Sequence, residues 1–243
     1  MKIFKVTSIL LCCMIFMTGC MEPTTTGIDE EAIEFVQLNE MKDGQEIAVI
    51  ETTKGTIRMA LFPNEAPKTV AQFKKLINEG FYNNKEIFIQ PDFQAFITGA
   101  MDETGVKGKI ATDDGKALEC EVTPNLWHFS GAVSVLGYEK NKFSKTLLSD
   151  SRFFIVGDVK ATTDLVSQME EYKYPQKVIN AYKEHGGLPQ YTGAYTVFGQ
   201  VYEGLEIVNE IANLPVKAES VVPEDGTKII KIELAKYEKP TEE

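Results

Sequence analysis

Few side chains in this sequence have the type and spacing that a catalytic or metal-binding site requires. The chain carries two arginines, Arg58 and Arg152, and each could supply a fixed cationic hydrogen-bond donor. Its two histidines, His128 and His185, are far apart, and neither lies near an acid in a recognisable motif, so a structural role is expected for each. No group of cysteines and histidines has metal-ligand spacing. We therefore expect neither a metal nor another cofactor.

The first twenty residues carry a different chemistry, centred on Cys20. Two lysines are followed by an uncharged apolar run over residues 6–17, which is typical of a secretory signal peptide and too short to span a bilayer. The run ends in Met17-Thr18-Gly19-Cys20, which resembles a bacterial lipobox, where the cysteine is acylated and becomes the mature N-terminus. We expect residues 1–20 to be a lipoprotein signal peptide. The alternative is an ordinary secretory signal with a coincidental cysteine.

Residues 21–44 are acidic and show no strand pattern, which favours a tether between a membrane and a folded domain. Two acyl chains on Cys20 would hold the protein stably on the outer face of the cytoplasmic membrane. We expect the protein to be a monomer. The net charge of -11 offers no basic surface to a phosphate backbone, so nucleic acid is not expected as a partner.

From Glu46 onward, short alternating runs predict strands joined by tight turns. Residues 47–51 and 57–61 alternate on either side of Thr53-Lys54-Gly55, which predicts a β-hairpin. Pro67 suits the first position of a helix that Gly80 would end. A second amphipathic helix is predicted over residues 205–214, where apolar residues recur at helical spacing.

Many further strands complete a mainly β domain over residues 45–238. Apolar runs of strand length occupy residues 132–136, 153–156 and 196–201, and a last alternating strand covers residues 228–236. Strands in this number, with two separated helices, indicate a closed antiparallel barrel capped by two α-helices. Residues 159–187 are polar and rich in Tyr, Lys and Glu, and they include a predicted helix over 175–184. We interpret them as a helical insertion.

Four blocks of the domain resemble the cyclophilin-type peptidyl-prolyl isomerases, and they occur in that family's order. They are residues 51–57 (ETTKGTI) followed by 61–70 (LFPNEAPKTV) and Phe73, residues 131–135 (GAVSV), residues 151–155 (SRFFI) and residues 195–201 (YTVFGQV). The resemblance implies a cyclophilin-like closed barrel of eight antiparallel strands. It also implies catalysis of rotation about X-Pro bonds, with proline-containing polypeptides as partners.

The sequence departs from the family where the resemblance implies catalytic residues. An Arg in a Phe-His-Arg run is the family's cationic donor, and the matching run here is Phe88-Ile89-Gln90, so Gln90 would be a neutral donor. The family's Phe-Met-x-Gln run matches Ala95-Phe96-Ile97-Thr98. By this match Phe96 lines the cup for the proline ring, and Thr98 replaces an amide that holds the peptide backbone.

The resemblance places further substrate-binding residues around the proline cup. Phe154 matches the pocket Phe, and Leu136 falls where a small Ala is usual, so it would partly fill the neighbouring pocket. Gln190 and Tyr191 belong to a run that replaces residues supplying Trp and Leu, and Tyr195 stands where many members carry His.

Arg152 stands where the family usually has Gln. We hypothesise that its guanidinium reaches into the pocket and, together with Gln90, partly replaces the missing Arg. The alternative places Arg152 on the surface or behind the residues that line the pocket. Arg58 cannot serve, because it is expected to point outward from the hairpin.

Three functions remain open on the sequence alone. The first is a peptidyl-prolyl cis-trans isomerase that acts on secreted or envelope proteins, with attenuated activity. The second is a catalytically inactive module that binds proline-containing peptides, and the third is a scaffold for an envelope partner that uses the insertion. The first two depend on a concave patch near Phe154 that still accepts a proline ring.

Overall fold

The computed structural model describes residues 28–90, 93–140, 147–218 and 220–239, so Cys20 and the predicted signal peptide lie outside the described residues. The strands are β1 Glu46–Thr52, β2 Gly55–Leu61, β3 Phe88–Gln90, β4 Ala95–Thr98, β5 Leu118–Glu119, β6 Ala132–Glu139, β7 Leu147–Val156, β8 Val197–Glu203 and β9 Ile229–Lys236. The helices are α1 Pro67–Asn78, α2 Thr163–Glu171, α3 Gln176–His185 and α4 Leu205–Ala212. Short 3-10 turns cover Glu30–Ala32, Val36–Leu38 and Pro189–Tyr191.

The predicted hairpin is confirmed in β1 and β2. The turn is stabilised by Thr52, whose Oγ1 accepts from the backbone N–H groups of Lys54 and Gly55, both at 3.1 Å. Gly55 has a φ of +150°, which an L side chain rarely adopts. Arg58 points outward, as expected, and pairs with Glu203 at 2.6 Å.

The strands form one curled antiparallel sheet in the order β3-β4-β7-β6-β8-β2-β1-β9, with β5 pairing to β7. The eight strands of this path agree roughly with the predicted number, but the predicted closure is wrong, because the sheet is an open half-barrel. Among the described residues, the two edges of the sheet are joined by one β-bridge, between Glu86 and Lys228, and by the backbone hydrogen bonds on either side of it. These contacts are made by residues 84–86, which come before β3, so β3 itself forms no ladder with β9.

Side chains alternate between the two faces of this sheet, because successive residues of a strand point to opposite sides. In β7, Phe153 and Ile155 join a core that includes residues of α1 and α4, and we call this side the helix-covered face. Phe154 and Val156 join a second cluster, and we call that side the Phe154 face. The two predicted capping helices therefore pack on the side opposite to Phe154.

The two capping helices begin and end close to the predicted residues. Pro67 occupies the first turn of α1, where its missing N–H costs nothing, and Gly80 follows the helix with a φ of +65°. The second helix, α4, covers Leu205–Ala212. Within the described residues, no helix has both the length and the apolar character needed to cross a bilayer.

The predicted insertion contains two helices rather than one. The helix predicted over 175–184 is α3, Gln176–His185, whereas α2 was not predicted. Thr162 caps α2, because its side chain accepts a hydrogen bond from the Leu165 N–H. Both helices contribute to a third cluster, whose buried members include Met169, Val178 and Tyr182.

The predicted tether is partly packed against the domain. We call residues 28–39 the N-terminal strap. Ile33 is 1 % exposed and belongs to the third cluster, and the buried Gln37 exchanges side-chain hydrogen bonds with the backbone of Trp127. Apolar burial against the insertion therefore fixes residues 28–39 of the predicted linker on the domain.

Candidate functional site

The Phe154 face carries a continuous row of five residues, four of them apolar, that crosses five strands. Its members are directly opposite one another from strand to strand, and they are Phe88, Ile97, Phe154, Ser134 and Val197. Four of them belong to the same buried cluster. The row positions Phe154 at the centre of the face, with strands on both sides to keep it in place.

Phe154 is covered by aromatic side chains. Its ring meets the ring of Tyr191 edge-on at a centroid distance of 5.7 Å and that of Tyr195 at 6.1 Å. Leu136 is buried in the same cluster. Phe154 is only 4 % exposed as a result. The concave patch predicted at this place is therefore filled in the structure by Tyr191 and Tyr195, with Leu136 in the same buried cluster.

We call residues 188–195 the covering segment. It includes the 3-10 turn Pro189–Tyr191 and lies directly after the insertion. Its backbone is tied to the body of the domain where the Leu188 N–H donates to the His128 carbonyl at 2.7 Å. Gln190 lies exposed at the tip of the segment, whereas Tyr191 points inward and is buried.

His128 lies beneath Phe154 and is fully buried. The two rings are stacked, with centroids 5.9 Å apart and an interplanar angle of 11°. Nε2 of His128 is 3.0 Å from Oγ of Ser134, which itself donates to the Thr196 carbonyl, so Nε2 carries the proton. Burial lowers the pKa of His128 to about 3, and the ring is neutral at pH 7. The structural role expected for this histidine fits these contacts.

Gln90 ends β3 on the Phe154 face and is half-buried. It lies opposite Ala95, which in turn lies opposite Val156. Two strand spacings and two residue steps therefore separate Gln90 from Phe154, or roughly 12 Å between Cα atoms. A short peptide lying along the face could contact both residues.

Arg152 shares the Phe154 face but is already bound. Its Nε and Nη2 atoms donate to the Asp150 carboxylate, at 3.0 and 2.7 Å, and Nη1 donates to the Gly105 and Val106 carbonyls. The side chains of both Arg152 and Asp150 are 6 % exposed. The hypothesis that Arg152 replaces the missing donor is therefore corrected: its contacts match the alternative in which it lies behind the surface, because the guanidinium is committed to Asp150.

Two other residues that were predicted to bind the substrate, Phe96 in the cup and Thr98 at the peptide backbone, lie elsewhere. Phe96 is fully buried in the cluster of the helix-covered face, and its neighbour Ile97 is the residue that contacts the Phe154 row. Thr98 is also fully buried, and its hydroxyl donates to the Glu86 carbonyl at 2.8 Å. The placement of Phe96 and Thr98 beside Phe154 is wrong, because β4 presents its odd-numbered residues to that face.

A family model described as "Cyclophilin type peptidyl-prolyl cis-trans isomerase/CLD" matches residues 47–234. This chain belongs to the cyclophilin-type peptidyl-prolyl isomerase family. It is 32% identical over 183 residues to a Staphylococcus aureus (strain USA300) protein named as a candidate peptidyl-prolyl cis-trans isomerase, across 75% of this chain and 89% of that protein. A Staphylococcus epidermidis protein with the same name is 33% identical over 187 residues, across 76% of this chain and 90% of that protein.

Solved cyclophilins share the fold. A crystal structure of a Cryptosporidium parvum cyclophilin-type isomerase, determined in the presence of the dipeptide Ala-Pro, matches with a TM-score of 0.56 and 25% identity, over 76% of this chain and 96% of that one. A second structure of the same cyclophilin matches with a TM-score of 0.58 and 24% identity, over 81% and 99%. The family model, the relatives and these neighbours together support a cyclophilin-type peptidyl-prolyl cis-trans isomerase as the function.

The site of this cyclophilin also contains residues that were not predicted from the sequence. Asp150 was missed, although its position two residues before Arg152 on one strand places both on one face. Ile97 was missed because all four residues of β4 are buried, so burial does not distinguish the two faces. The stacking of His128 on Phe154 joins a loop to a strand and has no local sequence signal.

Proposed function

We propose that this cyclophilin is a lipid-anchored peptidyl-prolyl isomerase of the cell envelope that works on secreted or envelope proteins with reduced turnover. The observation that carries the proposal is the Phe154 row on a cyclophilin sheet, with Gln90 on the same face at the position where the resemblance implies a cationic donor. Proline-containing polypeptides are the partners that such a row would bind.

The reaction needs no bond to be broken. Amide resonance opposes rotation with a barrier of roughly 18–20 kcal/mol, and uncatalysed exchange takes about 10–100 s. A catalyst has only to bind the twisted amide better than either planar form. Twisting frees the lone pair on the prolyl nitrogen, so a donor fixed near that atom stabilises the transition state.

The residues of this face can supply part of that chemistry. With the side chains that cover it moved aside, the ring of Phe154 would pack on the proline ring, and the half-buried Gln90 amide would donate toward the peptide. A neutral amide stabilises developing charge less than a guanidinium does. The loss of one charge-stabilising donor typically costs about 10²–10³ in rate, which leaves slow turnover for a reaction that already proceeds thermally.

A binding module without turnover is the second candidate, and the pairing of both guanidinium groups favours it. The chain has two arginines, and both are paired: Arg58 with Glu203 and Arg152 with Asp150. A groove that grips proline-containing segments without a cation would bind them and leave the exchange rate unchanged.

The envelope location is supported by the sequence of the leader. Residues 1–20 have the pattern of a lipoprotein signal peptide, and Cys20 is the proposed lipid attachment site. The strap begins at Ile28, eight residues later, so the intervening chain spans at most about 28 Å. The domain would thus be held close to the membrane surface. Incorporation of a labelled fatty acid into the wild-type chain, and its loss in Cys20→Ser, would test the anchor.

Turnover and binding are separated by one experiment on the chain that starts after Cys20. NMR exchange spectroscopy on a short Pro-containing peptide reports the cis-trans rate, and chemical-shift titration of the same sample reports binding. Faster exchange supports the isomerase. Binding without faster exchange supports the second candidate. If neither binding nor faster exchange is seen, the third function, a scaffold for an envelope partner, remains.

A further inference from the structure

We propose that the insertion is a latch that holds the covering segment closed over Phe154, and that Tyr174 and Tyr182 are its positioning residues. The proposal rests on the proposed function in one respect, since it takes the Phe154 face to be the peptide-binding surface. It assigns a role to the α2–α3 insertion, for which the family resemblance gives none.

Two tyrosine hydroxyl groups tie the insertion to the covering segment, one on each side of Tyr191. Tyr174 Oη donates to the Pro189 carbonyl at 2.8 Å. Tyr182 Oη lies 3.3 Å from Oγ1 of Thr192. Because these bonds bracket Tyr191, they fix the residue whose ring meets Phe154.

Two glycines, one just before the covering segment and one within it, have backbone conformations that most residues avoid. Gly187 has a φ of +120° and Gly193 a φ of +78°. A Cβ atom at Gly187 would lie 2.1 Å from the His128 carbonyl oxygen, so the chain enters the segment against the body of the domain. Glycine adopts these conformations without a steric cost, so the chain can follow this path into and through the segment.

The latch is supported on its outer side by the N-terminal strap. The Lys177 N–H donates to Oε1 of Glu30 at 2.7 Å, and its Nζ donates to the Ile33 carbonyl at 2.6 Å. The ring of Phe35 contacts Phe129 at 5.6 Å, and Phe129 contacts Tyr182 at 4.7 Å.

A chain of packed groups therefore runs from the strap through α3 to the cover over Phe154. The same strap leads back toward Cys20, so its docking links the position of the tether to the closure of the pocket. Release of the strap would remove the outer support of Tyr182 and favour the open position of the covering segment.

The hydroxyl groups can be tested without disturbing the packing of the rings. Tyr174→Phe, Tyr182→Phe and the double variant are made in the mature chain, with Tyr202→Phe as the control, because Tyr202 packs on Tyr237 away from the latch. Amide hydrogen exchange over residues 188–195 and the affinity for a short Pro-containing peptide are measured. Each hydrogen bond removed should speed exchange of these amides about two- to tenfold and raise peptide affinity by a similar factor.

The outcomes separate the latch from the proposed function. If amide hydrogen exchange over residues 188–195 is unchanged in the double variant, the latch is wrong, whatever the peptide affinity is. If amide exchange is faster but no variant binds the peptide, the latch is supported, and the Phe154 face is not the peptide-binding surface. Faster exchange with tighter binding supports both.

The strap can be released by a change outside the pocket. Ile33→Asp places a charge in the third cluster, and Glu30→Gln is a milder change that weakens only the bond to Lys177, with Glu31→Gln as the neighbouring control. The single tryptophan, Trp127, is fully buried in that cluster, so a red shift of its emission reports undocking. In variants whose strap is undocked, we expect amide hydrogen exchange over residues 188–195 to be two- to tenfold faster than in the wild type. A red shift without faster exchange would overturn the link between strap and cover.

Discussion

The Asp150 carboxylate binds the Arg152 guanidinium through Nε and Nη2, and the two residues lie two positions apart on β7. Gly108 approaches this pair so closely that a Cβ atom there would lie 1.9 Å from Oδ1 of Asp150. The pair thus fixes the loop around residues 105–108 on the sheet. Its role is structural, since the donors that could face a peptide are already used.

Removal of one partner should destabilise the fold rather than change catalysis. We expect Arg152→Ala to lower the free energy of unfolding by about 3–5 kcal/mol, because the Asp150 charge would remain buried without a partner. Urea unfolding measures this loss. The exposed pair of Arg58 with Glu203 gives the control, and Arg58→Ala should cost less than about 1 kcal/mol. A folded, equally stable Arg152→Ala protein with slower prolyl exchange would show instead that this guanidinium serves the substrate.

Restoring a cation at position 90 should raise turnover. Gln90→Arg places a guanidinium on the Phe154 face, and we expect catalysed exchange to rise by up to about 10²-fold, since that is the size of effect that one charge-stabilising donor has. Gln94→Arg adds the same charge four residues along, on an exposed turn, and should leave the rate unchanged. NMR exchange spectroscopy measures both. Equal rates for the two variants would mean that position 90 does not face the prolyl nitrogen.

The elements with strong local signals could be predicted from the sequence. The β1–β2 hairpin, α1 with Pro67 and α4 follow from alternation, helical spacing and turn residues. The face of β4 could not be predicted, because all four of its residues are buried and alternation gives no contrast. The docking of Ile33 on the insertion was also missed, since an acidic, strand-free segment reads as a tether unless its partner surface is known.

Leu136→Ala should open the pocket at a cost in stability. A buried Leu→Ala change typically costs about 2–5 kcal/mol, and here the space created lies beside Phe154. We therefore expect tighter binding of a Pro-containing peptide together with a lower free energy of unfolding. Leu76→Ala makes the same change on the helix-covered face and should lower stability alone. If peptide affinity is the same in both variants, Leu136 does not limit access to Phe154.

Burial of His128 should make stability depend on pH. Its pKa is about 3 in the folded protein, against an ordinary value of about 6.5 for an exposed histidine, so between these limits the unfolded chain binds a proton that the folded chain does not. Above pH 6.5 both states are neutral and this contribution is constant. As the pH falls through the window toward 3, the free energy of unfolding should decrease by about 1.4 kcal/mol per pH unit.

His128→Gln should remove that part of the pH dependence, because glutamine does not titrate. Urea unfolding at intervals from pH 7 to pH 4 measures the slope, and the slope can be compared even when the variant is less stable overall. Carboxylates with lowered pKa values, such as Asp225 at about 2, contribute equally in both proteins, so the difference isolates the histidine. His185→Gln, at the more exposed histidine, is the matched control. Identical slopes for wild type and His128→Gln would mean that the ring beneath Phe154 is protonated in the fold without penalty, and that the stacked pair is open to water.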